Sequence, residues 1–321
     1  MTSGVTSEFC LRLNGTAKYF NLDEQFDKKQ LHGRVWIHLD EDNPESVKWL
    51  KEESDLSELV IENLLDEDTL PRYFTLPSGT FVVLRDMNLN RHADVEDMIA
   101  IRIWIGKSHI ISLSHRRQPA VEKFAADLIE SKESISPMGV FVRLSERITE
   151  NIVRVLLKID DELDDFEDEV IDVERREADD LRSRISDIRH QILGMRRYVG
   201  PQKEVFLNMR ILEDLTKDEK AVFRSIRRDM QQAVNSLEYA REHSSVSQEE
   251  LDSRINVQLN KTMYVLTIIM VVLSPLTLIT GILGSNTIEF YENPFNFFLI
   301  TMSIVILGVL QVWYFKSRKW L

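Results

Sequence analysis

Hydrophobic and polar positions change their rhythm twice along this chain. Up to about residue 115, short runs rich in Val, Ile, Trp and Phe alternate partially with polar positions: CLRLNG, GRVWIHLD, TFVVLRDMNL and DMIAIRIWIGKSHIISLSH. Such runs predict strands, and the stretches Glu45–Lys51 and Leu56–Leu65 between them predict helices. The expectation is an α+β (or α/β) domain with a mostly antiparallel sheet. After Pro119 the period lengthens to that of helices. In Ser145–Arg176 the residues Leu156, Ile159, Leu163, Phe166, Val170 and Val173 recur at steps of three and four, opposite a face that is almost wholly acidic. A further helix is predicted over about Ala178–Leu212, with Gly200-Pro201 expected to bend or break it. Thr216, followed three residues later by Glu219, reads as a capped helix start. Phe223, Ile226, Met230, Ala233, Leu237 and Ala240 then hold a heptad-like stripe that Leu251, Ile255 and Leu259 resume. A stalk helix accounts for that stripe, as does coiled-coil packing between subunits.

The second change comes at Lys261. No charged residue lies between Thr262 and Ile288, and a second uncharged run covers Asn293–Phe315. Each exceeds the roughly 20 residues that cross a bilayer core of ~30 Å, so both predict transmembrane helices. Arg254 and Lys261 precede the first span, and Lys316, Arg318 and Lys319 follow the second. The connecting segment GSNTIEFYENP has no Lys or Arg. The positive-inside rule therefore puts both termini in the cytosol and the short loop outside. Tyr264, Trp313, Tyr314 and Trp320 fall where interfacial aromatics belong. Two spans cannot enclose a lumen, so a conducting protein built this way must oligomerise.

Charge modifies this picture in one respect. The chain has 321 residues and a formal net charge of -13, with 29% charged residues concentrated before Lys261. That balance argues against a nucleic-acid partner and suits a protein that gathers cations, although solubility alone explains many acidic surfaces. The single cysteine, Cys10, excludes an internal disulfide framework and any thiolate zinc cluster, and fits a reducing compartment. The N-terminal stretch MTSGVTSEFC lacks the basic and apolar regions of a signal peptide, which places the bulk of the chain in the cytosol.

The first span carries the candidate chemistry. Met263, Leu266, Met270, Ser274, Thr277 and Gly281 share one helix face, greasy at the cytosolic end and polar or small at the outer end. That face suits a pore with a hydrophobic gate below and a hydrated mouth above. Gly284, Ser285 and Asn286 follow at the outer end, where a ring of carbonyls and hydroxyls from several subunits would hold a hydrated divalent ion without stripping its waters. Asn286 serves equally well as a helix cap on spacing alone. Glu289 and Glu292 in the loop would concentrate cations at the mouth. Pro275 is expected to kink the span. Asp160, Asp161, Asp164, Asp165 and Asp168 form a candidate metal-binding acidic cluster, with a solvated face as the commoner explanation. His38 with Asp40 is a weaker metal candidate, because one side of an amphipathic strand accounts for it, and His109 with His115 is weak because the two lie six residues apart across a strand end. No phosphate-binding glycine loop, nucleophile elbow or zinc-hydrolase spacing occurs, so an enzyme is not expected.

The stretch S-P-L-T-L-I-T-G-I-L-G-S-N, a short loop, and a second span closing with Y-F-K-S-R-K-W-L resemble the CorA superfamily, whose members carry a Gly-x-Asn motif here. The resemblance covers the whole architecture and is most specific over 261–321. It implies a funnel-shaped homopentamer with the first span lining an axial pore, Gly284, Ser285 and Asn286 as selectivity site, and no cofactor other than the transported cation. Ser285 in place of the methionine of Gly-Met-Asn, the missing tyrosine before it, and M-R-R-Y-V-G-P-Q-K-E-V-F (195–206) are similar to the ZntB zinc-transporter branch. Two features depart from that branch. Its loops are neutral and glycine-rich, whereas the loop here carries Glu289 and Glu292. The approach N-K-T-M-Y-V-L-T-I-I also resembles a magnesium channel.

The organisation expected is an α+β domain over 1–118, an acidic helical hairpin over 119–215, a stalk over 216–261 and a first span over 262–286. A loop over 287–293, a second span over 294–316 and a basic tail over 317–321 complete it. The function expected is Zn²⁺ uptake at the inner membrane, with Cd²⁺ or Ni²⁺ as related cargo and proton coupling as a family trait. A CorA-type Mg²⁺/Co²⁺ channel closed by cytosolic Mg²⁺ is the alternative. A non-conducting membrane scaffold or sensor is the alternative of another class.

Overall fold

A computed structural model describes residues 8–15, 33–90, 94, 96–171, 178–211, 215–284 and 294–318. Its elements follow the two changes of rhythm. Strands β1 (Phe9–Arg12) and β2 (Val35–Asp40) are followed by helices α1 (Pro44–Glu52) and α2 (Glu58–Leu64). Then come β3 (Arg72–Leu76), β4 (Gly79–Asp86), β5 (Ile99–Gly106) and β6 (His109–Ser114). The six strands form one sheet in the order β1-β2-β6-β5-β4-β3. All neighbours are antiparallel except β2 and β6. The mostly antiparallel expectation thus holds, and the long run from Asp97 resolves into the β5–β6 hairpin. Strand β3 was not legible in the sequence, since four of its five residues are only half-buried and the fifth is exposed. Gly79, which starts β4, has no alternative: a Cβ there would lie 2.4 Å from the Ile105 carbonyl oxygen.

Alternation along β2 separates two layers. Val35, Ile37 and Leu39 join Trp49, Leu50, Val60 and Leu64 in a core beneath α1 and α2. Trp36 points to the other side, where its ring meets Phe124 of helix α3 (Pro119–Ser131) with centroids 5.5 Å apart. Helix α4 (Pro137–Ile171) starts at Ser136, whose hydroxyl accepts the Gly139 N–H at 2.9 Å. The predicted apolar residues Leu156, Ile159, Leu163, Phe166 and Val170 are buried, while Val173 lies outside the described residues. Burying each such side chain contributes about 1.5–3 kcal/mol.

Helix α5 (Ala178–Asn208) is continuous through Gly200-Pro201, so of the expected bend or break the break does not occur. Pro201 forfeits one helix bond, but the turn around it is fixed from outside. Val199, Gln202, Val205 and Phe206 are buried, and the Gln202 carboxamide oxygen accepts the Arg85 N–H at 2.6 Å. Helix α6 runs unbroken over Lys217–Gly284. Its start is the predicted capping box: the Glu219 N–H reaches the Thr216 hydroxyl at 3.3 Å, and Glu219 accepts the Thr216 N–H at 2.8 Å. Phe223, Ile226, Met230, Ala233, Leu237 and Ala240 are all buried within the one chain. That stripe is therefore intramolecular core rather than a coiled-coil seam between subunits. Helix α7 covers Pro294–Ser317.

Contacts divide the chain into two compact units. One comprises Met1–Asp172 and Asp179–Gln248; the other comprises Val173–Ala178 and Glu249–Leu321. In the first unit α4 packs on strands β2, β4, β5 and β6 and on α3, and α5 meets β4 through Gln202.

Candidate ion pathway and acidic surfaces

In the second unit, α6 carries a long apolar stretch almost none of which is buried in the chain. The described apolar part of α7 is Thr301–Ser317. The six predicted pore residues are all exposed: Met263, Leu266, Met270, Ser274, Thr277 and Gly281. Met263 and Met270 are each 60% exposed, and nothing lies within 4 Å of where a Cβ on Gly281 would sit. By contrast Ile268, Val272, Pro275, Leu276 and Ile279 are half-buried. At 100° per residue this second set lies about 180° from the first. Helix α7 sits on that covered side. Gly308 is placed so that a Cβ would meet Leu276 at 3.6 Å, and Gln311 Nε2 donates to the Val271 carbonyl oxygen at 3.3 Å. Packing within the unit thus leaves the predicted pore face open and covers its opposite.

The hydroxyls along α6 turn inward on the helix. Thr267, Thr277 and Thr280 donate to the carbonyl oxygens of Met263, Leu273 and Leu276 at 2.7–2.9 Å. Their remaining lone pairs stay available as oxygen ligands. Gly284 is the last residue of α6. Ser285, Asn286, Glu289 and Glu292 lie outside the described residues.

In the first unit, Asp160, Asp161, Asp164, Asp165 and Asp168 are all exposed along α4. Among the described residues of one chain, no group of three or more His, Cys, Asp or Glu side chains converges to hold a metal. Asp160 does line a groove of about 710 Å³ between α4 and α6, with Glu146, Glu150 and Asp229. Burial, then the charge of Glu150, raises the Glu146 carboxyl above its ordinary value. The apolar-stripe reading of α4 did not single out Glu146, Glu150 or Asp229.

The histidine candidates separate. His38 is buried in the core, where Nδ1 is 2.8 Å from the Ser112 hydroxyl and Nε2 3.4 Å from that of Ser114. Burial pulls its pKa down to about 4, so the ring stays neutral. This is a satisfied core histidine rather than a metal ligand, and β2 is buried on both faces rather than amphipathic as expected. His109 and His115 flank β6 at opposite ends, about 20 Å apart at strand rise, so they share no site. His115 Nδ1 instead faces Asp42 at 3.0 Å.

Two buried charged groups escaped sequence reasoning. Asp86, at the end of β4, is 2% exposed and is pushed up to about 7 by burial. It accepts from Asn151 Nδ2 on α4 at 3.1 Å and from the Met87 N–H at 2.8 Å. Arg102 is also buried and pairs with Glu41 at 2.6 Å. Neither departs from the strand pattern, so no sequence signal marks them.

The profile of the CorA-like Mg²⁺ transporter protein family matches residues 32–317. The chain is 31% identical over 292 residues to the divalent cation transporter CmaX of Pseudomonas aeruginosa, covering 89% of this chain and 87% of that protein. It is 28% identical over 290 residues to the zinc transport protein ZntB of Pectobacterium carotovorum, covering 89% and 88%. The structure of full-length CmaX superposes with a TM-score of 0.79 at 29% identity, covering 99% of this chain and 100% of the other. The family is one of transporters and not of enzymes, which agrees with the lack of any catalytic motif in the sequence. The chain belongs to the CorA-like Mg²⁺ transporter protein family and is a divalent cation transporter.

Proposed function

We propose that the chain assembles as a homopentamer in the inner membrane, with both termini cytosolic, and carries Zn²⁺ inward through an axial pore lined by α6. The observation that supports this reading is the open stripe Met263–Leu266–Met270–Ser274–Thr277–Gly281 on the side of α6 turned away from α7. Copies of α6 brought together on that stripe would surround a lumen that is apolar at Met263, Leu266 and Met270 and polar at Ser274 and Thr277. Narrow apolar rings hold back water and ions until they widen, whereas hydroxyls and carbonyls solvate a hydrated cation. Gly284, Ser285 and Asn286 would form the outer selectivity ring, and Glu289 and Glu292 would draw cations to it. Ser285 stands where the magnesium channels have methionine, and this resemblance to the ZntB branch, together with the 28% identity to ZntB of Pectobacterium carotovorum, supports Zn²⁺, with Cd²⁺ and Ni²⁺ as related cargo. The described parts of the two membrane segments contain no ionisable residue with a carboxylate, amine, guanidinium or imidazole between Thr262 and Gly284 or between Pro294 and Phe315. Proton coupling would therefore draw on the loop carboxylates or on the acidic surfaces of the first unit.

A Mg²⁺/Co²⁺ channel is the second reading, favoured by the groove that gathers Glu146, Glu150, Asp160 and Asp229. Divalent ions held between such carboxylates and the α4 aspartates of neighbouring copies would stabilise a closed assembly.

Uptake into proteoliposomes separates the readings. Zn²⁺ entry enhanced by an inward proton gradient, with little Mg²⁺ entry, is the expected result. Mg²⁺ entry indifferent to the gradient and suppressed by internal Mg²⁺ selects the channel reading. No flux of any divalent ion refutes both and leaves a membrane-anchored scaffold or sensor.

A further inference from the structure

An α-helix bonds each N–H to the carbonyl four residues earlier. Pro275 has no N–H, so the carbonyl of Val271 loses its helical donor. In a bilayer no water replaces it, and an unmet carbonyl there is costly. The hydroxyls nearby do not help. Thr267, Thr277 and Thr280 donate to Met263, Leu273 and Leu276. Among the described residues the side-chain donor that reaches Val271 is Gln311 of α7, with Nε2 at 3.3 Å from the carbonyl oxygen.

Gln311 is itself out of place by composition. From Phe297 to Tyr314 it is the single carboxamide in α7, otherwise apolar apart from Thr301 and Ser303. A carboxamide within a membrane span is disfavoured unless it meets a partner. Here it meets the backbone carbonyl that Pro275 deprives of its usual helical donor. One turn before it, Gly308 lies against Leu276, the residue after the proline, so two contacts press α7 on the proline side of α6.

We infer that Gln311 is a positioning residue for conduction, pinning the proline site of α6 by supplying the hydrogen bond that Pro275 withholds. The inference rests on the reading that α6 lines the pore. Val271 adjoins Met270, and Pro275 adjoins Ser274. The pin therefore acts at the junction between the apolar and the polar parts of the open stripe. It fixes the angle at which the Ser274–Thr277 end continues from the Met263–Met270 end, and it ties that angle to α7.

The test is a double-mutant cycle on the full-length protein in detergent and in proteoliposomes. Gln311→Leu removes the donor at similar volume, and Pro275→Ala restores the helix's own donor to Val271. With Pro275 present, Gln311→Leu is expected to lower the melting midpoint. It is also expected to change the initial Zn²⁺ or Mg²⁺ uptake rate, whichever ion is carried, by about 3-fold and at most about 18-fold, the range of interhelical hydrogen bonds in membranes. In the Pro275→Ala background, the same substitution is expected to do neither. A Gln311→Leu effect of equal size in both backgrounds overturns the inference, since Gln311 then acts by packing alone. No effect in the Pro275 background overturns it as well. Coupling in the melt without coupling in uptake overturns the role in conduction and points to failure of the pore assignment, while the hydrogen bond itself stands. Should Pro275→Ala abolish uptake, the melting cycle still decides whether the bond exists.

Discussion

Asp86 ionises in the wrong place, and this makes the stability of the first unit depend on pH in an unusual direction. Its pKa rises from 3.8 to about 7 through burial, with the Asn151 and Met87 hydrogen bonds offsetting only part of the cost. A carboxyl whose folded pKa lies above its unfolded value binds more protons in the fold than out of it. Stability from this group is therefore fully present at pH below about 4, falls as pH rises, and reaches its floor above about pH 7. At 1.36 kcal/mol per unit, the full difference is about 4 kcal/mol, of which about 2 kcal/mol is lost between about pH 5.5 and about pH 8. Asp86→Asn keeps the shape and retains an acceptor for the Met87 N–H at 2.8 Å, but cannot ionise. Other carboxylates change stability with pH too, so the informative quantity is the difference between variant and native protein at each pH. Thermal melts of the purified full-length chain should show Asp86→Asn gaining on the native protein by about 4–8 °C between those two pH values. A difference in melting midpoint that does not change with pH would refute the reasoning, because it would mean that Asp86 ionises as freely in the fold as outside it.

Three further outcomes are expected. Asn286→Ala should abolish uptake while leaving assembly intact; normal uptake by that variant removes the selectivity assignment. Thr216→Ala should cost about 1 kcal/mol, read as a lower melting midpoint, because it breaks the reciprocal cap with Glu219. Phe166→Ala should cost about 3–5 kcal/mol, since that ring is fully buried on α4, and a variant that melts like the native protein would contradict the assigned core.

Much of the architecture was legible before any coordinates. Periodicity marked five of the six strands, the apolar stripe of α4, the Thr216–Glu219 helix start and both uncharged runs, since each depends on local spacing that one chain segment carries by itself. The face of α6 bearing Met263, Leu266, Met270, Ser274, Thr277 and Gly281 was also set by spacing, as residues at steps of three and four share a side of any helix. Tertiary structure decided the rest. Whether the Phe223–Ala240 stripe faces a second copy or its own chain depends on what packs against it, and there the answer is burial within the chain. Pro201 and Pro275 present the same local defect, yet each is tolerated through partners distant in sequence, a buried turn held to Arg85 in one case and the carboxamide of Gln311 in the other. Burial keeps His38 neutral and raises the Asp86 pKa, which no strand pattern encodes. The sequence by itself determined most of the helices and strands, the two long apolar runs and which side chains share a face. Only the fold decided which faces are covered and which buried polar groups find partners, because both depend on residues brought together from far along the chain.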